Sequence, residues 1–228
     1  MKVSQLLTGY LVDLAERVGF VWERAIARYR DKKTGRFVSE FNLVQLQTDF
    51  TDNARVNIGN ITERLIAGDL DVGAWQRQFA QELKDTYVVN YQIARGGKNA
   101  MTQADYGRIG GRLKSEFGYL DNFAKEVASG NLTPEQIRAR ANQYVAGTRT
   151  AYYDGKTAAN KAAGLTEMRR VLTPAEHCES GGGMKGCIEY AAMGWQPIGS
   201  LPSPGTGTPC RHHCKCEMIY RGPGDARE

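Results

Sequence analysis

The sequence has no long apolar run, few histidines, and no cysteine in its first 177 residues. All five cysteines and all three histidines of this 228-residue chain lie between positions 177 and 216. No stretch approaches the ~20 consecutive apolar residues that span a bilayer, and Asp13 and Glu16 interrupt the first apolar stretch in a way that export signals do not. We therefore expect no membrane partner and synthesis in a reducing cytoplasm.

Recognisable catalytic patterns are also missing. The sequence holds no P-loop, no G-x-S-x-G and no H-E-x-x-H, and its carboxylates at Glu135, Asp154, Glu167 and Glu189 are scattered. The net charge is only +5, which permits contact with nucleic acid or acidic proteins without requiring it. We therefore expect a protein that is not an enzyme.

Apolar residues at helical spacing dominate the first 165 positions. Start and stop residues divide them into helices: Asp71 and Thr102 suit N-caps, and the sequence Thr133-Pro134-Glu135-Gln136 combines a capping box with proline at the first helical position. The predicted helices are a first stripe through Leu7, Leu11, Leu14, Val18, Val21 and Ile26, a second from Leu43 to Gly68, a third from Asp71 to Gly96-Gly97, a fourth from Thr102 to Gly130, and a fifth from Thr133 that could run to Gly164 and could be broken.

Beyond Gly164 the pattern changes to short strands and Gly/Pro-rich loops. Residues 168–172 and 217–221 are candidate strands that bracket the cysteines and could pair antiparallel. The predicted fold is mainly α, a multi-helix body with a small C-terminal Cys-rich β-hairpin module. The expected divisions are 1–37 (N-terminal helix and basic turn), 38–165 (helical body) and 166–228 (Cys/His-rich module).

The clustered cysteines predict a covalent or metal cross-link in that module. Tetrahedral zinc takes four Cys or His ligands, whereas an odd number of cysteines cannot form a complete set of internal disulfides. Disulfides formed late, and free thiols, stay open as alternatives. The best zinc ligand set is Cys178, Cys187, Cys214 and Cys216, with Cys210, His213, His212 and His177 as alternates.

The C-terminal third resembles a known family in the order of its motifs. A helix, a short strand and the Cys178/Cys187 pair are followed by Leu201-Pro202, then by Cys214-Lys215-Cys216 and a last strand. This order is similar to the C-terminal signature of tailed-phage minor head proteins, the Mu F-like head-morphogenesis family. The eight residues between the first two cysteines exceed the usual gap of that family, and the similarity covers residues 145 to 221 at most.

The resemblance implies a structural role in the virion. The expected protein is a minor capsid protein in the head of a tailed bacteriophage, near portal and shell, made in the host cytoplasm. Portal and major capsid proteins, further copies of the chain, and packaged DNA are the implied partners. Alternatives are a zinc-stapled nucleic-acid-binding protein, another virion role such as decoration or head-tail connection, and a small ADP-ribosyltransferase-like enzyme.

A basic run near the N-terminus is the candidate nucleic-acid contact. Charged side chains there could grip phosphates, and the neighbouring aromatics Tyr29 and Phe37 could stack on bases. A solvated turn between two helices is the simpler interpretation, and Asp31 dilutes the charge. The candidate contact residues are Arg28, Arg30, Lys32, Lys33 and Arg36.

Overall fold

A computed structural model describes residues 20–23, 28–173, 186–206 and 214–225 of the chain. Helices dominate it, and the short strands lie at its two ends. In chain order the elements are β1 Phe20–Glu23, β2 Arg28–Asp31, α1 Glu40–Ile66, α2 Val72–Arg95, a 3-10 turn Lys98–Ala100, α3 Gln103–Ala128, α4 Pro134–Gly147, α5 Arg149–Ala162, β3 Glu167–Val171, α6 Cys187–Ala192, β4 Gln196–Pro197 and β5 Glu217–Arg221.

Local capping signals set most helix ends where the sequence predicts them. The Asp71 carboxylate accepts the Ala74 backbone N–H at 2.7 Å, and α2 ends at Gly96 in the left-handed conformation, with φ of 111°. Thr102 and Thr133 each form the reciprocal side-chain and backbone bonds of a capping box. Such caps satisfy the backbone N–H groups that a first turn leaves without partners.

Helix α2 is the centre of the molecule and packs against α1, α3 and α5. Its predicted apolar stripe is buried throughout, which confirms that stripe as core. Edge-to-face ring pairs join Trp75 to Phe79 and to Phe123 at centroid distances of 5.4 and 5.2 Å, a geometry that aromatic quadrupoles favour. The buried stripe consists of Trp75, Phe79, Leu83, Tyr87 and Tyr91.

The fifth predicted helix is broken at Thr148 into α4 and α5. Asn90 on α2 donates its side-chain N–H to the Thr148 hydroxyl at 3.1 Å and to the Thr148 carbonyl at 3.3 Å. The Thr148 hydroxyl in turn donates to the Val145 carbonyl at 2.7 Å. The carbonyls of Val145 and Thr148, which a continuous helix would pair with backbone N–H groups, thus accept hydrogen bonds from side chains. Such bonds compete with helix formation, and the helix is interrupted at this residue.

Two kinds of helical glycine differ in their surroundings. A Cβ on Gly155 of α5 would lie 2.4 Å from the Tyr91 carbonyl oxygen of α2, so glycine permits the close approach of these helices. By contrast, a Cβ at any of the four glycines of α3 would meet nothing within 4 Å in the part of the chain that is described. Close packing within that part therefore does not explain Gly107, Gly110, Gly111 and Gly118.

The C-terminal sheet pairs the two predicted strands and adds a short third one. Strands β3 and β5 are antiparallel, with Met168 opposite Tyr220, which confirms the predicted pairing. The two-residue β4 pairs with the other edge of β3. Met168 and Met218 are buried against α2 and α5, so the sheet shares its inner face with the helical body. The predicted divisions at 37/38 and 165/166 stay predictions.

The N-terminal end differs from the expected helix. Strand β1 includes Val21 and pairs antiparallel with β2. The prediction that Val21 belongs to the first helix is therefore wrong. The sequence Phe-Val-Trp-Glu favours an extended chain because β-branched and aromatic side chains suit a strand. The remaining stripe positions, Leu7, Leu11, Leu14, Val18 and Ile26, lie outside the described residues. Among the helices that the structure describes, none has the length and apolarity required to cross a membrane.

Candidate metal centre

Three buried cysteines meet where the C-terminal sheet joins the short helix α6. The Sγ atoms of Cys187, Cys214 and Cys216 all lie within 4.8 Å of one another. The Cys187 and Cys214 sulfurs are 3.5 Å apart, well beyond the ~2.05 Å of a disulfide bond. None of the three forms a disulfide with another described cysteine, and each is no more than 3% exposed. They are close enough to hold one metal ion.

Local structure explains how the cysteines reach one point. Cys214 and Cys216 directly precede β5, and both are buried while Lys215 between them is exposed. The same alternation of sides is found in a strand. Cys187 begins α6, where the Glu189 carboxylate accepts the Gly186 backbone N–H at 2.8 Å. The spacing of one residue in the Cys-x-Cys segment is therefore what brings two sulfurs to one side.

A fully buried arginine lies directly beside the sulfurs. Arg170 of β3 is 0% exposed, and its Nη1 donates to the Cys187 sulfur at 3.5 Å. Its Nη2 donates to the Pro202 carbonyl, and its guanidinium lies 5.1 Å from the centre of the Tyr190 ring. A buried cation is stable only with compensating negative charge or acceptors. The Cys187 sulfur, the Pro202 carbonyl and the Tyr190 ring are the groups that surround this cation.

The helical body holds the Cys-x-Cys backbone in place. Arg149 of α5 donates to the Cys214 carbonyl, and the Tyr153 hydroxyl donates to the Cys216 carbonyl at 3.1 Å. Because Arg149 and Tyr153 sit on one turn of α5 and also bond each other, the cluster is attached to the body as well as to the sheet.

The thiols influence one another electrostatically. The hydrogen bond with the Cys214 sulfur, followed by burial, raises the pKa of the Cys216 thiol well above its usual range. Adjacent thiolates repel, and burial penalises each charge. A divalent cation bound to all three sulfurs would remove both penalties, since a coordinating thiol is deprotonated by its metal. The arrangement is therefore suited to a cation.

The structure brings together three of the residues in the best sequence-predicted ligand set. The remaining candidates, namely Cys178, Cys210, His177, His212 and His213, lie outside the described residues. Sequence reasoning missed Arg149 and Arg170 as neighbours of the cluster. The strand period was a usable signal for the position of Arg170. Residues two apart in a strand face the same side, so Arg170 shares a side with the apolar Met168, and both are buried.

The basic run lies at the opposite end of the chain, on β2 and on the turn that follows it. Arg28 and Arg30 are on β2, and Lys32 and Lys33 form the turn that follows. Among the described residues, no hydrogen bond or ion pair joins the charged side chains of this run to Cys187, Cys214 or Cys216.

Comparison with known proteins finds no matching family model, no similar curated protein and no similar solved structure.

Proposed function

We propose that this chain is a structural component of a tailed-phage virion, a minor head protein near the portal and the capsid shell, with a zinc-stapled C-terminal module. The observation that carries the proposal is the convergence of the motif residues on Arg170. This side chain bonds both the Cys187 sulfur and the Pro202 carbonyl, and Leu201, the residue before Pro202, is buried in the same core as Met168 and Met218. The shared motifs thus act as one folded unit, as expected if their order reflects a common module.

Zinc is the metal that suits this donor set. Three thiolates at one buried point form a soft, sulfur-rich site, and such ligands select zinc, copper(I) or iron–sulfur clusters. Zinc has no redox chemistry and forms closed tetrahedral sites that stabilise small modules. The module fits that role, because among the described residues the core that α6 shares with the Cys-x-Cys segment consists of the three cysteines. The metal would join α6 to the sheet.

The fourth ligand is proposed from the sequence candidates. Cys178 completes the preferred set of four thiolates with Cys187, Cys214 and Cys216. Two arginines contact this cluster, Arg170 at a sulfur and Arg149 at a backbone carbonyl. Zinc with four thiolates carries a net charge of about −2, which these two guanidinium groups offset. A four-thiolate site therefore agrees with the charges around it.

Metal content and ligand substitution test the zinc proposal. Protein purified under reducing conditions should contain about one zinc per chain by elemental analysis. Cys178→Ser and Cys214→Ser should each lose the metal, whereas Cys210→Ser, a matched removal of one thiol, should keep it. Absence of metal together with a single titratable thiol per chain, the one that two disulfides would leave over, would instead establish disulfides. If Cys210→Ser lost the metal and Cys178→Ser kept it, the assignment of Cys178 as the fourth ligand would be overturned.

Particle composition tests the virion role. The tagged chain, expressed during phage production, should cosediment with portal and major capsid proteins in purified heads and be found there by mass spectrometry. Cys214→Ser should reduce its incorporation, and Cys210→Ser should incorporate normally. A wild-type chain that remains entirely in the unassembled fraction would refute the virion role, whatever its zinc content.

A further inference from the structure

The β1–β2 hairpin, taken together with the turn from Lys32 to Phe37 that follows β2, presents a group of cations. Lys32 to Phe37 are six consecutive exposed residues after β2. The turn is closed by backbone bonds at 2.8 Å from the Asp31 N–H to the Arg36 carbonyl and from the Gly35 N–H to the Asp31 carbonyl. Gly35 adopts φ of 67°, which is a left-handed conformation that glycine takes without strain.

One side chain anchors this hairpin to the helical body. Tyr29 of β2 is 1% exposed, and its hydroxyl donates to the Ile93 carbonyl of α2. Val38, also buried, donates its backbone N–H to the Tyr29 carbonyl at 2.7 Å. The residues between these anchors are thus attached to the body at both ends, which reduces the ordering cost of binding a partner.

The acidic residues of the hairpin are occupied within it. The Asp31 carboxylate accepts the backbone N–H groups of Lys33 and Thr34 at 2.8 and 2.9 Å, and these bonds, that of Thr34 first, lower its pKa. Glu23 pairs with Arg30. Within the described ranges, no carboxylate lies at ion-pair distance from the other four cations of the run, which are Arg28, Lys32, Lys33 and Arg36.

The aromatic residues of the run are not free to stack on bases. Tyr29 is buried, and the guanidinium carbons of Arg28 and Arg30 both lie 4.3 Å from the centre of the Phe37 ring. Proteins that grip single strands need exposed rings on which bases stack. Contact by charge alone instead suits the phosphates of a duplex, whose bases are already stacked.

We propose that this hairpin binds the phosphate backbone of duplex DNA without reading its sequence. The partner is argued from cations that have no ion-pair partner among the described residues, namely Arg28 on β2 and Lys32, Lys33 and Arg36 after it. It is also argued from the Phe37 ring, which already has two guanidinium groups against it. The inference goes beyond the proposed virion function and does not depend on it. Counterion release predicts a slope of log K against log salt of about −3.6 for four phosphate contacts at 0.9 each.

Fluorescence anisotropy of the full-length protein with a labelled 30-base-pair random duplex tests the proposal across a series of salt concentrations. The wild type should bind with the slope given above. The triple variant Lys32→Gln, Lys33→Gln, Arg36→Gln should lose roughly tenfold or more in affinity, and its slope should become shallower by about 2.7 for three lost contacts. These side chains are exposed, so dichroism and melting temperature should match those of the wild type.

A charge-matched control separates a local site from general attraction. Lys84, Lys114 and Lys161 are also exposed, and replacing all three with Gln removes the same charge elsewhere. Binding by this control should match the wild type. Equal losses in both triple variants, or no binding by the wild type, would overturn the proposal.

Two further probes test the choice of partner. Tighter binding to a single strand of the same length, with dependence on Phe37, would also overturn it. So would hairpin-dependent binding to polyglutamate or to anionic vesicles that exceeds binding to the duplex. Zinc content and virion incorporation are measured separately, so failure here leaves the proposed function standing.

Discussion

Replacement of Gly155 by alanine tests how closely α5 approaches α2. The added Cβ would lie 2.4 Å from the Tyr91 carbonyl oxygen, 3.1 Å from the Tyr91 carbonyl carbon and 3.2 Å from the Ala94 Cβ. The first two of these are backbone atoms of a buried helix, which cannot turn aside as a flexible side chain can. The helices must therefore separate, and the buried contact between them is disturbed.

Two opposing terms set the magnitude for Gly155→Ala. Overpacking of a core costs about 1–3 kcal/mol and occasionally more, whereas alanine gains about 1 kcal/mol over glycine in a helix. Because the contact is with backbone, we expect the upper part of the overpacking range and a net loss of about 1–2 kcal/mol. For a chain of this size each kcal/mol shifts the melting temperature by roughly 2–4 °C, so Tm should fall by several degrees.

Gly110→Ala is the matched control for this substitution. It makes the same chemical change within helix α3, at an exposed position where a Cβ meets nothing within 4 Å. Only the helix-propensity gain should remain, so Tm should stay constant or rise. Thermal unfolding followed by far-UV dichroism measures both variants. If Gly155→Ala also kept or raised Tm, the close approach of α5 to α2 would be refuted.

Three other perturbations test the cysteine cluster and the half-buried Glu116. Replacing Cys214 and Cys216 together with Ser should open the C-terminal module to protease while far-UV dichroism keeps most of its helical signal; a global loss of helix would contradict an independently folded body. Arg170→Gln should weaken metal retention against a chelator by about tenfold, the effect typical of residues that orient metal ligands. The control Arg169→Gln on the same strand should retain the metal as the wild type does, and equal effects of the two variants would refute a role for Arg170 at the sulfur. Burial raises the pKa of Glu116, so the stability that its protonated form contributes is complete below the ordinary pKa and is lost as pH rises through the raised value. Glu116→Gln should therefore flatten the decline of stability above about pH 4.5, measured by urea unfolding, and an unchanged pH profile would count against that burial.

Features that depend on a few neighbouring residues could be predicted from the sequence. The caps at Asp71, Thr102 and Thr133 work through bonds within one helical turn, and the stripe of α2 needs only its own spacing to identify a buried face. The pairing of 168–172 with 217–221 also followed from short apolar segments that flank the cysteines. The clustering of soft ligands in sequence was enough to suggest a shared site in space.

Tertiary structure decided the features that depend on distant partners. The fifth predicted helix is interrupted at Thr148 because the side chain of Asn90, 58 positions away, donates to the Thr148 hydroxyl and carbonyl. Gly155 is required by the backbone of another helix, and Arg170 borders the sulfurs because β3 pairs with β5. The sequence by itself determined helix ends, apolar faces and the supply of thiols, since each follows from local bonding or composition. Only packing decided which charged side chains and backbone atoms would come into contact. Such contacts join residues that are far apart in the sequence, and no pattern among neighbouring residues indicates them.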